Sequence, residues 1–119
     1  MQGLGHLESA VMDVLWAADV DLPVRGVLES MTGRKLAYTT VMTVLDNLHR
    51  KGFVERIKQG RAYRYRPTLS RGQAWAAAMQ ELLAEAGDSE AVLLHFATAM
   101  SDGESDVLRS ALDRRKRKK

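Results

Sequence analysis

The stretch "YTTVMTVLDNLHRKGFVERIKQGRAYRYRP" (residues 38–67) combines a helical pattern, a glycine stop and two β-rich runs. Its apolar side chains recur at the spacing of one helical face, at Val41, Val44, Leu45 and Leu48. This spacing predicts a helix over residues 38–51, and Gly52 is typical of the position just after a helix end. "FVERIKQ" and "AYRYRP" predict the two strands of a hairpin that turns at Gly60-Arg61 and ends at Pro67.

Two further helices are predicted before this stretch. One helical face carries Leu7, Val11, Val14 and Leu15, which predicts a helix over residues 7–18. Pro23 is favourable in a first helical turn, so a second helix is expected over residues 23–31. Three helices followed by a hairpin predict that residues 1–67 form a winged helix-turn-helix domain.

The following segment, residues 68–113, is rich in Ala, Leu, Met and Glu, which favour helices. Capping-box patterns begin at Ser70 and Ser101, and Asp88 can cap a third helix. The predicted helices span residues 71–86, 89–100 and 102–116. The predicted fold class is therefore mainly α with a small β-hairpin, a winged helix-turn-helix followed by a C-terminal helical region.

These C-terminal helices carry more apolar side chains than a short helical hairpin can bury. Pairing with a second copy would cover them, and the alternative is that they fold back on the first domain. We favour a homodimer, because recognition of a two-fold symmetric duplex needs two reading heads. The candidate dimerisation residues are Trp75, Met79, Leu82, Leu83, Leu93, Phe96, Leu108 and Leu112.

Charge is unevenly distributed, although the formal net charge is only +3. Residues 36–66 contain seven Lys/Arg and two acids, whereas residues 67–113 contain two Lys/Arg and eight acids. The basic middle suggests that one face of the first domain meets a polyanion. For the basic tail, residues 114–119, disorder is the first expectation. Sequence-independent DNA contact and contact with the acidic helices of a partner subunit stay open.

The outer face of the helix over residues 38–51 offers groups suited to reading bases. Thr40, Thr43 and Asn47 share this face, and Thr39 flanks it. Threonine supplies a hydroxyl and a methyl group that packs on thymine, and asparagine can bond adenine in two places. An ordinary solvated helix face that happens to be rich in threonine is the alternative.

Basic residues surround this helix and occupy the hairpin. Tyr63 and Tyr65 alternate with Arg64 and Arg66, so the tyrosines are expected on the helix side and the arginines, with Arg61 at the turn, along the DNA backbone. The basic positions 50, 51, 61, 64 and 66 are expected to converge near the end of the helix. A basic edge strand that prevents aggregation is the alternative. The candidate DNA-binding residues are Thr39, Thr40, Thr43, Asn47, Arg50, Lys51, Arg61, Tyr63 and Arg64.

An enzyme is not expected. The three histidines, His6, His49 and His95, fall on three predicted elements without a catalytic or phosphate-cradling motif beside them. The chain contains no cysteine, which excludes disulfides and thiolate metal sites. No metal or cofactor is predicted. Because the sequence shows no signal pattern and no membrane-spanning run, we expect a cytoplasmic protein without direct membrane insertion.

Four segments resemble the penicillinase repressor family (BlaI/MecI type), namely "LGHLESAVMDVLW", "LPVRGVLE", "LAYTTVMTVLDNLHRKGFVER" and "GRAYRYRP". The resemblance covers nearly the whole chain, to about Asp113. It implies a homodimeric winged-helix repressor of palindromic operators built on TACA/TGTA half-sites, often controlling β-lactamase and other antibiotic-response genes. It also implies that Thr40 and Thr43 read bases. Thr39, Met42 and Asn47 stand where staphylococcal members carry longer basic residues.

The resemblance further implies regulation by a membrane sensor metalloprotease that triggers cutting in the C-terminal helices. The corresponding stretch is "VLLHFATAM", with His95-Phe96 as the candidate bond. The matching stretch is short and apolar, and such residues are more often simply part of a dimer core. A copper-responsive branch of the family carries a cysteine-rich tail, so this cysteine-free chain does not fit that branch.

Two other functions stay open at this point. A winged-helix module that binds only proteins would need the apolar helix face but not the basic positions. A ligand-sensing winged-helix regulator would hold a small molecule between helices, with Trp75 and Met79 as candidate lining residues.

Overall fold

The computed structural model describes residues 3–118 and contains six helices and three short strands in that range. The elements are α1 (His6–Ala17), β1 (Leu22–Pro23), α2 (Val24–Ser30), α3 (Tyr38–Arg50), β2 (Val54–Gln59), β3 (Ala62–Pro67), α4 (Arg71–Glu85), α5 (Ser89–Ala99) and α6 (Asp102–Arg117). The chain divides into two units, residues 1–78 and 79–119, with the division inside α4. The sequence had placed this boundary after residue 67. No helix within the described range is long and apolar enough to span a membrane.

The first unit is a winged helix-turn-helix, as predicted. Its three strands form an antiparallel sheet in the order β1–β3–β2, in which Leu22 pairs with Tyr65 and Arg56 with the same tyrosine from the other side. The two-residue strand β1 was not predicted. It exists because β3 offers a free edge, and Pro23, which cannot donate a backbone hydrogen bond, is tolerated at the outside of a sheet.

One hydrophobic core joins the three helices to the sheet. It consists of Val11, Met12, Leu15, Val24, Val27, Met31, Val41, Val44, Leu45, Leu48, Val54 and Tyr65. The four apolar positions of α3 are all buried, which confirms the predicted inward face of this helix. Tyr65 of the hairpin is only 2% exposed, and its side chain packs in this core. The wing is thereby fixed against α3 by packing and by the sheet.

Two glycines set the geometry between α3 and the wing. Gly52 has φ 83° and follows the helix end, where the backbone N–H of Phe53 donates to the carbonyl of Leu48. This pairing satisfies carbonyls that a helix end otherwise leaves free. Gly60 has φ 64° in the two-residue turn between Gln59 and Ala62, which pair across the hairpin. A left-handed first turn residue matches the twist of the strands it joins.

The C-terminal helices begin at well-formed caps but bury almost nothing within one chain. Asp88 accepts from the backbone N–H of Ala91, and Ser101 and Glu104 form the predicted reciprocal cap of α6. Neither α5 nor α6 has a buried residue, and α4 has one, Ala74. The helix α6 continues to Arg117, so it includes residues 114–117 of the tail that was expected to be disordered; Lys119 lies outside the described residues.

Candidate nucleic-acid interface

The outer face of α3 presents polar side chains opposite its buried stripe. Thr39, Thr43 and Arg50 are exposed, and Thr40 and Asn47 are half-buried. None of the residues expected to read bases is packed into the core. Because the apolar stripe is buried in the core, this face is one of the sides of α3 that remain open to a ligand.

The polar groups of this face are already ordered by bonds within the helix. The Thr43 hydroxyl donates to the Thr39 carbonyl at 2.9 Å, and the Arg50 guanidinium donates to the side-chain oxygen of Asn47. The Thr43 oxygen keeps its lone pairs as acceptors, and the Asn47 amide keeps its N–H donors. These two side chains can therefore contact a base edge without first losing their partners in the helix.

A basic groove of about 480 Å³ lies between the N-terminal half of α3, the start of α2 and the wing. Three exposed guanidinium groups line it, those of Arg25, Arg56 and Arg61, against the single carboxylate of Asp46. Arg56 stacks over the Tyr63 ring at 4.5 Å and lies 3.5 Å from Asp46. A groove with this excess of cations beside an exposed helix face suits a phosphate backbone.

Sequence reasoning missed two of these arginines and two apolar neighbours. Arg25 approaches the Tyr38 ring at 5.8 Å, which places it beside the start of α3 although it belongs to α2. Tyr38 and Met42 line the same groove and are 42% and 39% exposed, so the first half of α3 also offers apolar surface. Arg56 could have been found from the strand pattern. Arg56 and Lys58 are two residues apart, so they lie on the same side of the hairpin as Tyr65 and Tyr63, with which they pair.

The arginines of β3 have protein partners and do not form the expected DNA-facing row. Arg64 donates from Nε to the Asp21 carboxylate at 2.8 Å and from Nη2 to the Asp21 carbonyl at 2.7 Å. Arg66 donates to Glu55 directly across the hairpin. Only Arg61, at the turn, remains on the groove side as expected. The structure thus gives Arg64 an intramolecular partner, and its phosphate contact stays a prediction.

Lys51 also has a different partner from the one expected. Its ammonium lies 2.8 Å from Oε1 of Glu8 and 3.2 Å from the carbonyl of Gly3, so it ties the end of α3 to the start of α1. The expected convergence of basic residues near the end of α3 is therefore wrong: Lys51 and Arg64 have acidic partners on other elements, and Arg61 lies beside the first turns of α3.

Glu8 is the titratable group that this arrangement affects most clearly. Burial of its side chain would raise the pKa, but the backbone N–H of Gly5 and the Lys51 ammonium both lower it, and the net pKa lies below the ordinary value. Among residues 3–118 no group of three His, Asp or Glu side chains is arranged to hold a metal ion.

The candidate dimerisation residues are largely solvent-exposed in the single chain. Seven of the eight are at least 43% exposed, and the eighth, Leu83, is half-buried. His95 and Phe96 are exposed residues near the middle of α5. The helices from α4 to α6 therefore present a large apolar surface that the chain itself does not cover.

Comparison with known proteins assigns this architecture to a family. Residues 4–114 match the model of the penicillinase repressor family. Transcriptional regulator BlaI from two Mycobacterium tuberculosis strains is 46% identical over 113 residues, covering 92% of this chain and 82% of the regulator.

A solved structure shares the fold at much lower identity. It is Bordetella bronchiseptica BpsR, whose DNA binding is regulated by 6-hydroxynicotinic acid. It aligns with a TM-score of 0.52 and 14% identity over 97% of this chain and 76% of its own. The chain therefore belongs to the penicillinase repressor family and is a winged-helix transcriptional repressor, not an enzyme.

Proposed function

We propose that the protein is a homodimeric repressor that inserts α3 into the major groove of a palindromic operator. The observation that carries the proposal is the division of α3 into a buried apolar stripe and an outer face on which Thr39, Thr40 and Thr43 remain accessible. Small hydroxyl side chains let a helix approach base edges closely, and their methyl groups can contact thymine. Asn47 and Arg50 extend the same face toward the end of the helix.

The wing would lie on the flanking backbone. Arg61, Arg56 and Arg25 line the groove beside α3, and Tyr63 forms part of its wall. Phosphate contacts fix the position of a protein on the duplex but do not select a sequence, so these arginines would set register while α3 sets base preference. Lys51 and Arg64 are left out of this contact set, since both are bonded to acidic residues of the domain.

The dimer would form through α4, α5 and α6. A helix that buries no residue has little reason to be stable in water, because most helical stability in proteins comes from tertiary packing. A second copy would cover the exposed side chains of Trp75, Met79, Leu82, Leu93 and Phe96. Two copies also provide the two reading heads that a palindromic site requires.

Family membership supports a proposal for the operator and the regulated genes. We propose TACA/TGTA half-sites and control of β-lactamase or related antibiotic-response genes, because the chain is 46% identical to a BlaI regulator over most of its length. Repression would be steric, because a dimer that occupies the promoter DNA keeps other proteins from binding there.

Relief of repression by proteolysis at His95-Phe96 is part of the same proposal, with a membrane sensor metalloprotease as the partner. This bond lies inside α5, and a helical segment must unwind locally before a protease can hold it in an extended form. Since α5 buries no residue of its own chain, its resistance to cutting would depend on the dimer.

A ligand-sensing regulator is the second candidate function, and one cavity of the first unit supports it. A groove of about 470 Å³ between α1 and the end of α2 is lined by Val14, Leu22, Met31 and Arg34, among others. Calorimetric titration of candidate effectors into the dimer would detect a ligand there, whereas the proteolytic mode predicts no heat of binding.

Footprinting of the purified protein on the DNA around its own gene tests the main proposal. We expect protection of a two-fold symmetric site that contains the half-sites. Binding of equal strength to every fragment would overturn sequence-specific recognition. The absence of any binding would favour the protein-interaction module.

A further inference from the structure

Helix α6 has opposite charges at its two ends and an apolar middle. Asp102, Glu104 and Asp106 lie in its first turns, and four consecutive basic residues, 114–117, form its last turn. Acids at the start and bases at the end of a helix suit the helix dipole, so the order along the axis has a simple explanation. The dipole does not determine which side of the helix each charge occupies.

One side of α6 combines apolar residues with a charge at each end. The spacing i, i+3, i+4, i+7, i+8, i+11 from Glu104 collects Glu104, Val107, Leu108, Ala111, Leu112 and Arg115 on a single face. All six are exposed, including Val107 at 69% and Leu112 at 52%. This face is thus an uncovered apolar stripe with a carboxylate at one end and a guanidinium at the other.

The stripe is complementary to itself when two copies run antiparallel. A two-fold axis crossing the helices between residues 109 and 110 brings Glu104 opposite Arg115 of the second copy. The same axis brings Val107 opposite Leu112 and Leu108 opposite Ala111. A parallel pair would instead place Glu104 opposite Glu104 and Arg115 opposite Arg115, so like charges disfavour it.

The surface around Ala111 has the shape that this register requires. Ala111, Arg114, Arg115 and Lys118 border a shallow depression of about 370 Å³. These positions are i, i+3, i+4 and i+7, the four that form a hole for a side chain of a facing helix. Ala111 is small enough to leave the hole open at one edge. In this register the middle of the hole, between positions 114 and 115, lies opposite residues 104 and 105 of the second copy, so its three cationic side chains face the Glu104 carboxylate.

We propose that α6 pairs antiparallel with α6 of a second copy, in the register that joins Glu104 of each chain to Arg115 of the other. The proposal rests on the homodimer proposed above and specifies its geometry. Glu104 and Arg115 cannot meet within one chain, because eleven residues of helix separate them by about 16 Å. The Glu104 carboxylate accepts from the Ser101 backbone N–H at 2.8 Å, which orients it, and its second oxygen remains for a guanidinium.

Charge reversal tests the register. The dimer dissociation constant is measured by sedimentation equilibrium for Glu104→Arg, Arg115→Glu and the variant that carries both changes. Each single change replaces two attractive contacts by two repulsive ones and should weaken the dimer about tenfold. The combined variant restores opposite charges and should return close to the wild-type value.

A mixture of the two single variants gives the sharpest result. The first carries arginine at both positions and the second carries glutamate at both, so their heterodimer regains two favourable contacts. We expect the mixture to dimerise about as tightly as the wild type, although each single variant alone forms a weak homodimer. This recovery also controls for the loss of the Glu104 helix cap, which the mixture does not repair.

Matched controls carry the same charge changes on the opposite side of α6. Asp106→Arg and Arg117→Glu should leave the dissociation constant within about twofold of the wild-type value, as expected for charges outside the contact. Weakening by these controls to the same extent, or a failure of the mixture to recover, would overturn the register. A wild-type protein that is monomeric at micromolar concentration would overturn the homodimer itself, and footprinting would then show separately whether DNA recognition survives.

Discussion

The Lys51 ammonium, at the end of α3, lies 2.8 Å from the Glu8 carboxylate in the first turn of α1. Glu8 also accepts the backbone N–H of Gly5 at 3.0 Å, so one side chain caps the first helix and holds the third. Its side chain is only 12% exposed, whereas that of Lys51 is 45% exposed. Besides the shared hydrophobic core, an ion pair whose acid is largely shielded from water therefore holds α3 against α1.

This ion pair predicts a pH dependence of stability. The pKa of Glu8 in the folded protein is lower than its ordinary value of 4.5, so the ionised form is favoured by folding. Its stabilising contribution is complete above that ordinary value and is lost as the pH falls through the folded pKa. Urea unfolding of wild type and Glu8→Gln at fixed protein concentration should differ by about 1–2 kcal/mol at neutral pH.

The difference between the two proteins is the decisive quantity, because other carboxylates titrate in the same range. It should shrink as the pH is lowered below 4.5. A difference that stays constant down to strongly acidic pH would show that Glu8 is not held ionised by Gly5 and Lys51.

Thr43→Val tests base reading by α3. Valine keeps the shape and a methyl group but removes the hydroxyl, so the change isolates its hydrogen bond to a base edge. We expect operator binding to weaken by about 1–3 kcal/mol while binding to random duplex is unchanged, as measured by fluorescence anisotropy. Thr32→Val, in the loop before α3, is the matched control. Equal weakening on both duplexes would exclude Thr43 as a base-reading residue.

Arg61 and Arg64 should behave differently although both belong to the wing. Arg61→Ala removes a guanidinium from the basic groove and should lower the salt dependence of DNA binding by about one unit on all sequences. Arg64→Ala breaks the bonds to Asp21 and should lower the unfolding free energy by about 1–2 kcal/mol with the salt slope unchanged. Arg109→Ala in α6 is the control for both measurements. The opposite pattern would restore Arg64 as the phosphate contact.

Leu93→Asp tests the dimer surface on α5. The leucine is 51% exposed in one chain, so the change adds no buried charge to the monomer but places one in the proposed interface. We expect a monomer by light scattering, loss of operator binding and reduced helix content, with the winged helix-turn-helix still folded. Gln80→Asp, an exposed polar position on α4, should remain dimeric. An unchanged mass for Leu93→Asp would place the contact elsewhere.

Local patterns were sufficient to predict most of the winged helix-turn-helix. The spacing of Val41, Val44, Leu45 and Leu48 placed α3 and its inward face, and Gly52 and Gly60 marked the helix end and the hairpin turn. Both glycines adopt positive φ, so the prediction rested on a real conformational need. The threonines of α3 lie on the outer face for the same reason of spacing.

Features that depend on distant partners were not predictable in this way. Arg64 meets Asp21, and Lys51 meets Glu8, each across 43 residues of sequence. A basic residue has no periodicity that reveals whether its partner is a phosphate or a carboxylate of its own domain. The strand β1 was missed for the same reason, because it forms only when β3 is beside it.

Because α5 and α6 bury no residue within one chain, the packing of these helices depends on the concentration of the protein. In the proposed homodimer, this part of the molecule becomes ordered through a reaction that is second order in chain concentration. Halving the cellular copy number would then remove more than half of the competent repressor. As the chain concentration falls, repression would therefore be lost more steeply than for a repressor that binds its operator as a monomer.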